Sequence, residues 1–208
     1  MNPGHFMRSL LALVGCTALS SATYGQGYIH FFNTPATLIS GGGVPMPTST
    51  NLQFIFAAFL APASTIETAN VQVGFSDLRF QAVEAYNTNH PVGPGRLVNR
   101  SYIPINYGIG LPVDFVVRGW SANAGATWSE ALANWNNGSP LVPMFIGSST
   151  VGNDLWIAGD LPMSPLFGIN PAAGQVPGFD MTFVPEPSAL TLAGLGLGAI
   201  WLLCRRSH

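Results

Sequence analysis

The chain has 208 residues, enough for one domain of ordinary size with its own core. Only 8% of residues are charged and 48% are hydrophobic, which excludes a disordered polyelectrolyte, while 24 Gly and 17 Pro point to short strands joined by many turns. Lysine is absent, and residues 27–184 hold four arginines against eight carboxylates, a net charge of −4, so no nucleic acid is expected as a partner.

At the N-terminus His5 and Arg8 precede an apolar run over 10–19 and then the small or polar Ser20, Ser21, Ala22 and Thr23, which is the order of a secretory signal. Residues 1–25 are read as that signal. Cleavage after Ala22 or after Gly25 starts the mature chain between Thr23 and Gly27, and Met7 is an alternative start. Leu13-Val14-Gly15-Cys16 resembles a lipobox, which would make Cys16 a lipid-modified N-terminus; an ordinary cysteine inside the apolar run is the other reading. The cysteines are Cys16 and Cys204, so residues 27–184 can form no disulfide and offer no thiolate nucleophile or cysteine metal ligand.

Residues 27–184 are predicted to form one all-β domain, a β-sandwich of jelly-roll or Ig-like type with about nine strands and one short helix. The strands are expected at 28–33, 52–60, 71–75, 79–86, 97–105, 112–120, 141–146, 155–158 and 180–184, each an apolar or β-rich run between turn formers. Gly41-Gly42-Gly43, residues 91–95 and Asn136-Asn137-Gly138 supply turns, and Pro45, Pro47, Pro62 and Pro162 break any long helix. The helix is expected over 128–135. Thr127-Trp128-Ser129-Glu130 reads as a capping box, and Trp128, Ala131, Leu132 and Trp135 form one apolar stripe to lay on the sheet.

No catalytic constellation, metal-ligand set or cofactor motif emerges, so no enzyme activity, metal or cofactor is expected. His30 and His90 lie in unrelated segments and read as a strand and a turn residue, whereas zinc needs three or four converging ligands. There is no Gly-x-Ser-x-Gly elbow. Asp114, Glu130, Asp154 and Asp160 could supply a hydrolytic carboxylate pair, but each reads more simply as a turn, a helix start or a partner for Arg79, Arg100 or Arg118. Asp77, Asn153 and Asp154 fall short of a calcium loop. Trp120, Trp128, Trp135 and Trp156 can stack on sugar rings or fill a core; periodicity assigns Trp128 and Trp135 to the core, leaving Trp120 and Trp156 as the carbohydrate-stacking candidates.

At the C-terminus Pro185, Glu186 and Pro187 precede an apolar run over 189–204 and then Arg205 and Arg206. As a helix that run spans roughly 24 Å, close to the hydrocarbon core of a bilayer, and a single transmembrane helix is expected there. Arg205 and Arg206 set its orientation, holding the chain end in the cytoplasm and the domain outside the inner membrane. The order of tripeptide, apolar run and arginines over 185–208 resembles the PEP-CTERM sorting domain. That resemblance implies export, recognition of Pro185-Glu186-Pro187 by an exosortase, transient residence in the inner membrane, removal of the tail, and association with exopolysaccharide at the cell surface or outside the cell.

A second resemblance is more diffuse. Residues 113–132, with Arg118-Gly119-Trp120 and the helix behind it, resemble a strand-plus-helix segment of secreted, PEP-CTERM-bearing proteins of verrucomicrobial type, as does the opening Gly25-Gln26-Gly27 through Asn33. It implies a β domain and no chemistry. The expected role is structural or adhesive, in the envelope or extracellular matrix; a carbohydrate-binding module is the alternative.

Overall fold

Two stretches of the chain, FIFAAFLAP (Phe54–Pro62) and PVDFVVRGWS (Pro112–Ser121), are apolar along most of their length rather than at alternate positions. A strand of that kind is stable only when both faces of its sheet are covered. The computed structural model, which describes residues 26–50, 52–80, 83–137, 144–159, 164–170 and 174–184, places these two stretches side by side as β4 and β7 in the middle of a large sheet.

The described strands are β1 (Gln26–Phe31), β2 (Ser40–Gly41), β3 (Val44–Pro45), β4 (Phe54–Pro62), β5 (Val83–Thr88), β6 (Arg100–Gly108), β7 (Pro112–Ser121), β8 (Met144–Ser148), β9 (Gly152–Trp156), β10 (Ser164–Pro165) and β11 (Asp180–Val184), with one helix, α1 (Trp128–Asn136). The large sheet runs β3-β2-β11-β8-β7-β4-β5, and β9 joins the edge of β7 beyond β8. A smaller sheet runs β10-β1-β6. The fold is mostly β, as expected, with a curled sheet. The parallel pairings of β11 with β2 and of β1 with β10 distinguish its order from the antiparallel sheets of an Ig-like sandwich.

Side-chain parity builds two cores. Phe54, Phe56, Ala58 and Leu60 of β4 and Val113, Phe115 and Val117 of β7 meet Ile29, Phe31 and Ile105 of the smaller sheet and Leu166 just after β10. The residues between them, Ala57, Phe59 and Ala61 of β4 with Val116 and Trp120 of β7, face the other way and meet Trp128 and Ala131 of α1 and Val73 and Phe80 of the preceding loop. Each buried Phe of these layers contributes about 1.5–3 kcal/mol.

The helix begins where expected, because Thr127 accepts from the Glu130 amide while Glu130 reaches back to the Thr127 amide. Residues 71–75 and 79–80 depart from expectation: they form no strand. They are held to the sheet by single contacts such as Val151 N–H to the Val71 carbonyl (2.9 Å), and their apolar side chains cap the second core instead of joining a ladder. The expected strand at 155–158 is instead β9, ending at Trp156.

Register fixes the two ends of the sheet. Pro112 of β7 is level with Trp156, and Gln26 with Gly108 just before the turn into β7. At the other end Trp120 is level with Ile146, Ile146 with Thr182, and Met144 with Val184. The entry at Gln26 and the exit at Val184 therefore lie at opposite ends of β7, roughly 30 Å apart at the rise of an extended strand. Among the described residues no helix is long and apolar enough to cross a membrane. The expected transmembrane helix at 189–204 and the signal at 1–25 lie outside the described residues.

Candidate functional site

The cover over the second core stops short of β11. Phe75 packs edge-on against Trp128 and Trp135, at 5.8 and 5.7 Å between ring centroids, and borders the uncovered strip. The exposed strip beyond is a cleft of about 430 Å³. Its floor is Ser148 of β8 with Asp180 and Thr182 of β11, which share a face because they are two residues apart. Gln72 and Phe75 line one side, and Pro177, Gly178 and Phe179 line the other, the Phe179 ring itself being packed edge-on against Phe56 in the first core.

Asp180, Gln72 and Thr150 in this cleft are each oriented by a neighbour. Asp180 Oδ1 accepts from Ser40 Oγ (2.7 Å) and from the Gly43 amide (3.1 Å), and these bonds hold its carboxyl below the usual carboxylate range. Gln72 Nε2 donates to the carbonyls of Ser148 and Ser149 at 3.3 and 3.4 Å. Thr150 Oγ1 lies 3.3 Å from Asn70 Oδ1.

Arg118 is a charge taken into the core. It is fully buried on the helix side of β7, donating from Nη1 to the Phe80 carbonyl (2.9 Å) and from Nη2 to the Gly74 carbonyl (3.4 Å). Its guanidinium lies over the rings of Phe59 and Trp128. Nε has no hydrogen-bond partner among the described residues, and burial pushes the pKa down to about 10. Arg79 pairs with Asp77, 2.7 Å away near the surface, rather than with Asp114, Glu130 or Asp154 as expected, and this pairing lowers the Asp77 pKa.

Of the carboxylates considered for catalysis, Asp114 and Glu130 serve the backbone. Asp114 is buried, and its oxygens accept from the amides of Ile66 (2.9 Å) and Asp154 (3.1 Å). Glu130 closes the capping box of α1. Asp154 sits on the exposed side of β9 with φ +53, a left-handed conformation that Asp tolerates better than most residues. Asp160 lies outside the described residues. His30 is in β1 beside Phe32 and Tyr102, and His90 is in the turn after β5; the described residues contain no group of three or more metal-ligating side chains.

The two stacking candidates separate. Trp120 is fully buried, with its Nε1 donating to the Gly125 carbonyl (2.9 Å) and its ring 5.7 Å from that of Trp128. No face of Trp120 is open to a sugar, because its parity on β7 turns it under the helix. Trp156 is 62% exposed on β9, on the same side of the strand as Asp154. Pro185, Glu186, Pro187, Arg205 and Arg206 lie outside the described residues.

Sequence reasoning did not find the cleft. Gln72, Ser148 and Thr182 come from three separate elements, and no short motif links them. The only available signal was the period-two pairing of polar Asp180 and Thr182 in a strand otherwise apolar, which marks a face left uncovered.

Comparison with known proteins adds one match. No curated protein and no solved structure matches the chain. Residues 183–206 match the PEP-CTERM protein-sorting motif, which begins on the last two residues of β11. The chain thus carries a PEP-CTERM protein-sorting motif on the end of its β fold, which supports an exported protein sorted by an exosortase.

Proposed function

We propose that the β domain is the cargo that this sorting motif delivers, a non-enzymatic structural or adhesive protein of the cell surface or extracellular matrix. One observation carries the reading: the sorting motif starts within β11, so Val184 is still paired with Met144 when Pro185 begins the tripeptide, and no linker separates the folded domain from the signal. Whatever is sorted is this domain. In this reading the 189–204 run holds the chain in the inner membrane, with Arg205 and Arg206 on the cytoplasmic side, until the exosortase removes the tail.

The test is localisation with C-terminal mapping in the native host, comparing the native chain with a double variant, Glu186→Ala and Pro187→Ala. The reading expects native protein at the surface or in the medium without tail peptides, and the variant retained in the inner membrane. Intact tails on both chains, both in the inner membrane, would replace it with a permanently anchored protein.

A second reading, a carbohydrate-binding module for exopolysaccharide, is favoured at Trp156. Its exposed ring and the Asp154 carboxylate share one face of β9, at the end of the sheet farthest from Val184. A ring face to stack on and a carboxylate to accept hydroxyl protons are the two elements that sugar recognition uses. Loss of exopolysaccharide retention in Trp156→Ala would favour this reading, and unchanged retention would count against it.

A further inference from the structure

We propose that the cleft beside β11 is a binding site for a neutral, polyhydroxylated ligand, such as the sugar units of a glycan. The site is distinct from Trp156 and does not depend on the sorting reading.

Size is the first argument. About 430 Å³ lies within the range of small-molecule sites. Hydrogen-bonding character is the second. Among the described lining residues none is cationic, so an anionic ligand finds no counter-charge. Gln72 spends its amide nitrogen on the Ser148 and Ser149 carbonyls, which leaves Oε1 as the end that can accept. Asp180 is an acceptor as long as it is ionised, and Thr182 both donates and accepts. A lining richer in acceptors than donors matches a ligand whose surface is hydroxyl groups. Phe75 adds apolar surface of the kind that meets the C–H face of a sugar ring.

Preorganisation is the third argument. The floor rests on paired strands, Asp180 is tied to Ser40 and Gly43, and Phe75 is wedged against two tryptophans. Little ordering remains to be done when a ligand enters.

The purified full-length chain in detergent micelles, applied to an array of neutral oligosaccharides, tests the proposal. The native chain should bind at least one glycan. Gln72→Ala and Thr182→Trp, the latter filling the cleft from an exposed position, should weaken that binding about tenfold or more. Asp180→Asn keeps the shape and an acceptor for Ser40 and should weaken it less. Circular dichroism and thermal midpoints equal to those of the native chain establish that these variants fold. Binding to no glycan overturns the proposal, as does native-like binding by both cleft variants. Loss confined to Trp156→Ala also overturns it, by moving the glycan to the other end of the sheet. Capture of the diamine putrescine with no glycan bound would overturn it too, in favour of a cation held by Asp180.

Discussion

The guanidinium carbon of Arg118 lies 4.6 Å from the centre of the Phe59 ring, inside a core that gives the cation two carbonyls and no carboxylate hydrogen bond. A buried charge so weakly compensated costs more desolvation than its contacts return. Arg118→Met, which keeps the apolar stem, should therefore stay within about 1 kcal/mol of the native stability, whereas Arg118→Ala should lose about 3 kcal/mol through the cavity it leaves. Urea unfolding of the three chains decides this.

The same residue predicts a pH dependence. Burial lowers its pKa from the ordinary arginine range to about 10, so above pH 10 the unfolded chain binds the proton more tightly than the folded one. Protonation then opposes folding fully below pH 10, and that opposition is relieved as pH rises above it. Relative to Arg118→Met, the native chain should gain up to about 1.4 kcal/mol per pH unit above 10. A stability difference that stays flat from pH 9 to 11 would contradict it.

Asn33 is fully buried and makes three hydrogen bonds of 2.8 Å, donating to the Thr37 and Gly95 carbonyls and accepting from the Leu97 amide. It ties the loop after β1 to the turn before β6. Asn33→Leu preserves volume but strands the Thr37 carbonyl and the Leu97 amide, while the Gly95 carbonyl keeps the Ile39 amide, and should cost about 2 kcal/mol or more. Thermal denaturation measures the loss, and a loss under 1 kcal/mol would show that water replaces the side chain.

Thr127 should behave as a helix cap whose worth is local. Thr127→Ala removes the bond to the Glu130 amide and should cost about 1 kcal/mol, while Thr127→Gly should cost only a few tenths. No loss in Thr127→Ala would mean that the hydroxyl contributes nothing.

What was legible in the sequence was whatever a short window encodes. The capping box placed α1 to within a residue, and the bounds of β7 and β11 follow from Pro112 and from the proline after Val184. The two-residue β2, β3 and β10 carry no periodic signal, because they pair through register set elsewhere in the chain. Val71–Phe75 looked like a strand because apolar residues alternate there; in the fold the alternation serves to cap a core. Trp120 and Trp156 are equivalent by residue type, and only the layering over β7 buries one and exposes the other. The cleft was illegible for the same reason, since an uncovered face is defined by where a distant loop ends.

Ser40 and Asp180 offer an acid-side test. The hydrogen bond from Ser40 is the largest cause of the lowered Asp180 pKa, so the carboxylate contributes stability above the ordinary value of 3.8 and loses it as pH falls below that through its lowered folded value. Ser40→Ala should move the Asp180 pKa up toward 3.8 in a carbon-13 carboxyl titration. At neutral pH the cost should stay below about 1 kcal/mol, because the pair is exposed to solvent. An unmoved pKa would assign the shift to the Gly43 amide instead.

The opposed ends of the sheet also decide how the domain carries force. If a tether pulls at Val184 while a partner holds the Trp156 end, the load runs along β11, β8, β7 and β9, across ladders whose hydrogen bonds stand at right angles to it. Such a ladder is sheared, and its bonds must give way together rather than unzip one by one. A partner seated beside Asp180 would load only the short ladder from Asp180 to Val184. The place where this protein is gripped would therefore set how hard it can be pulled.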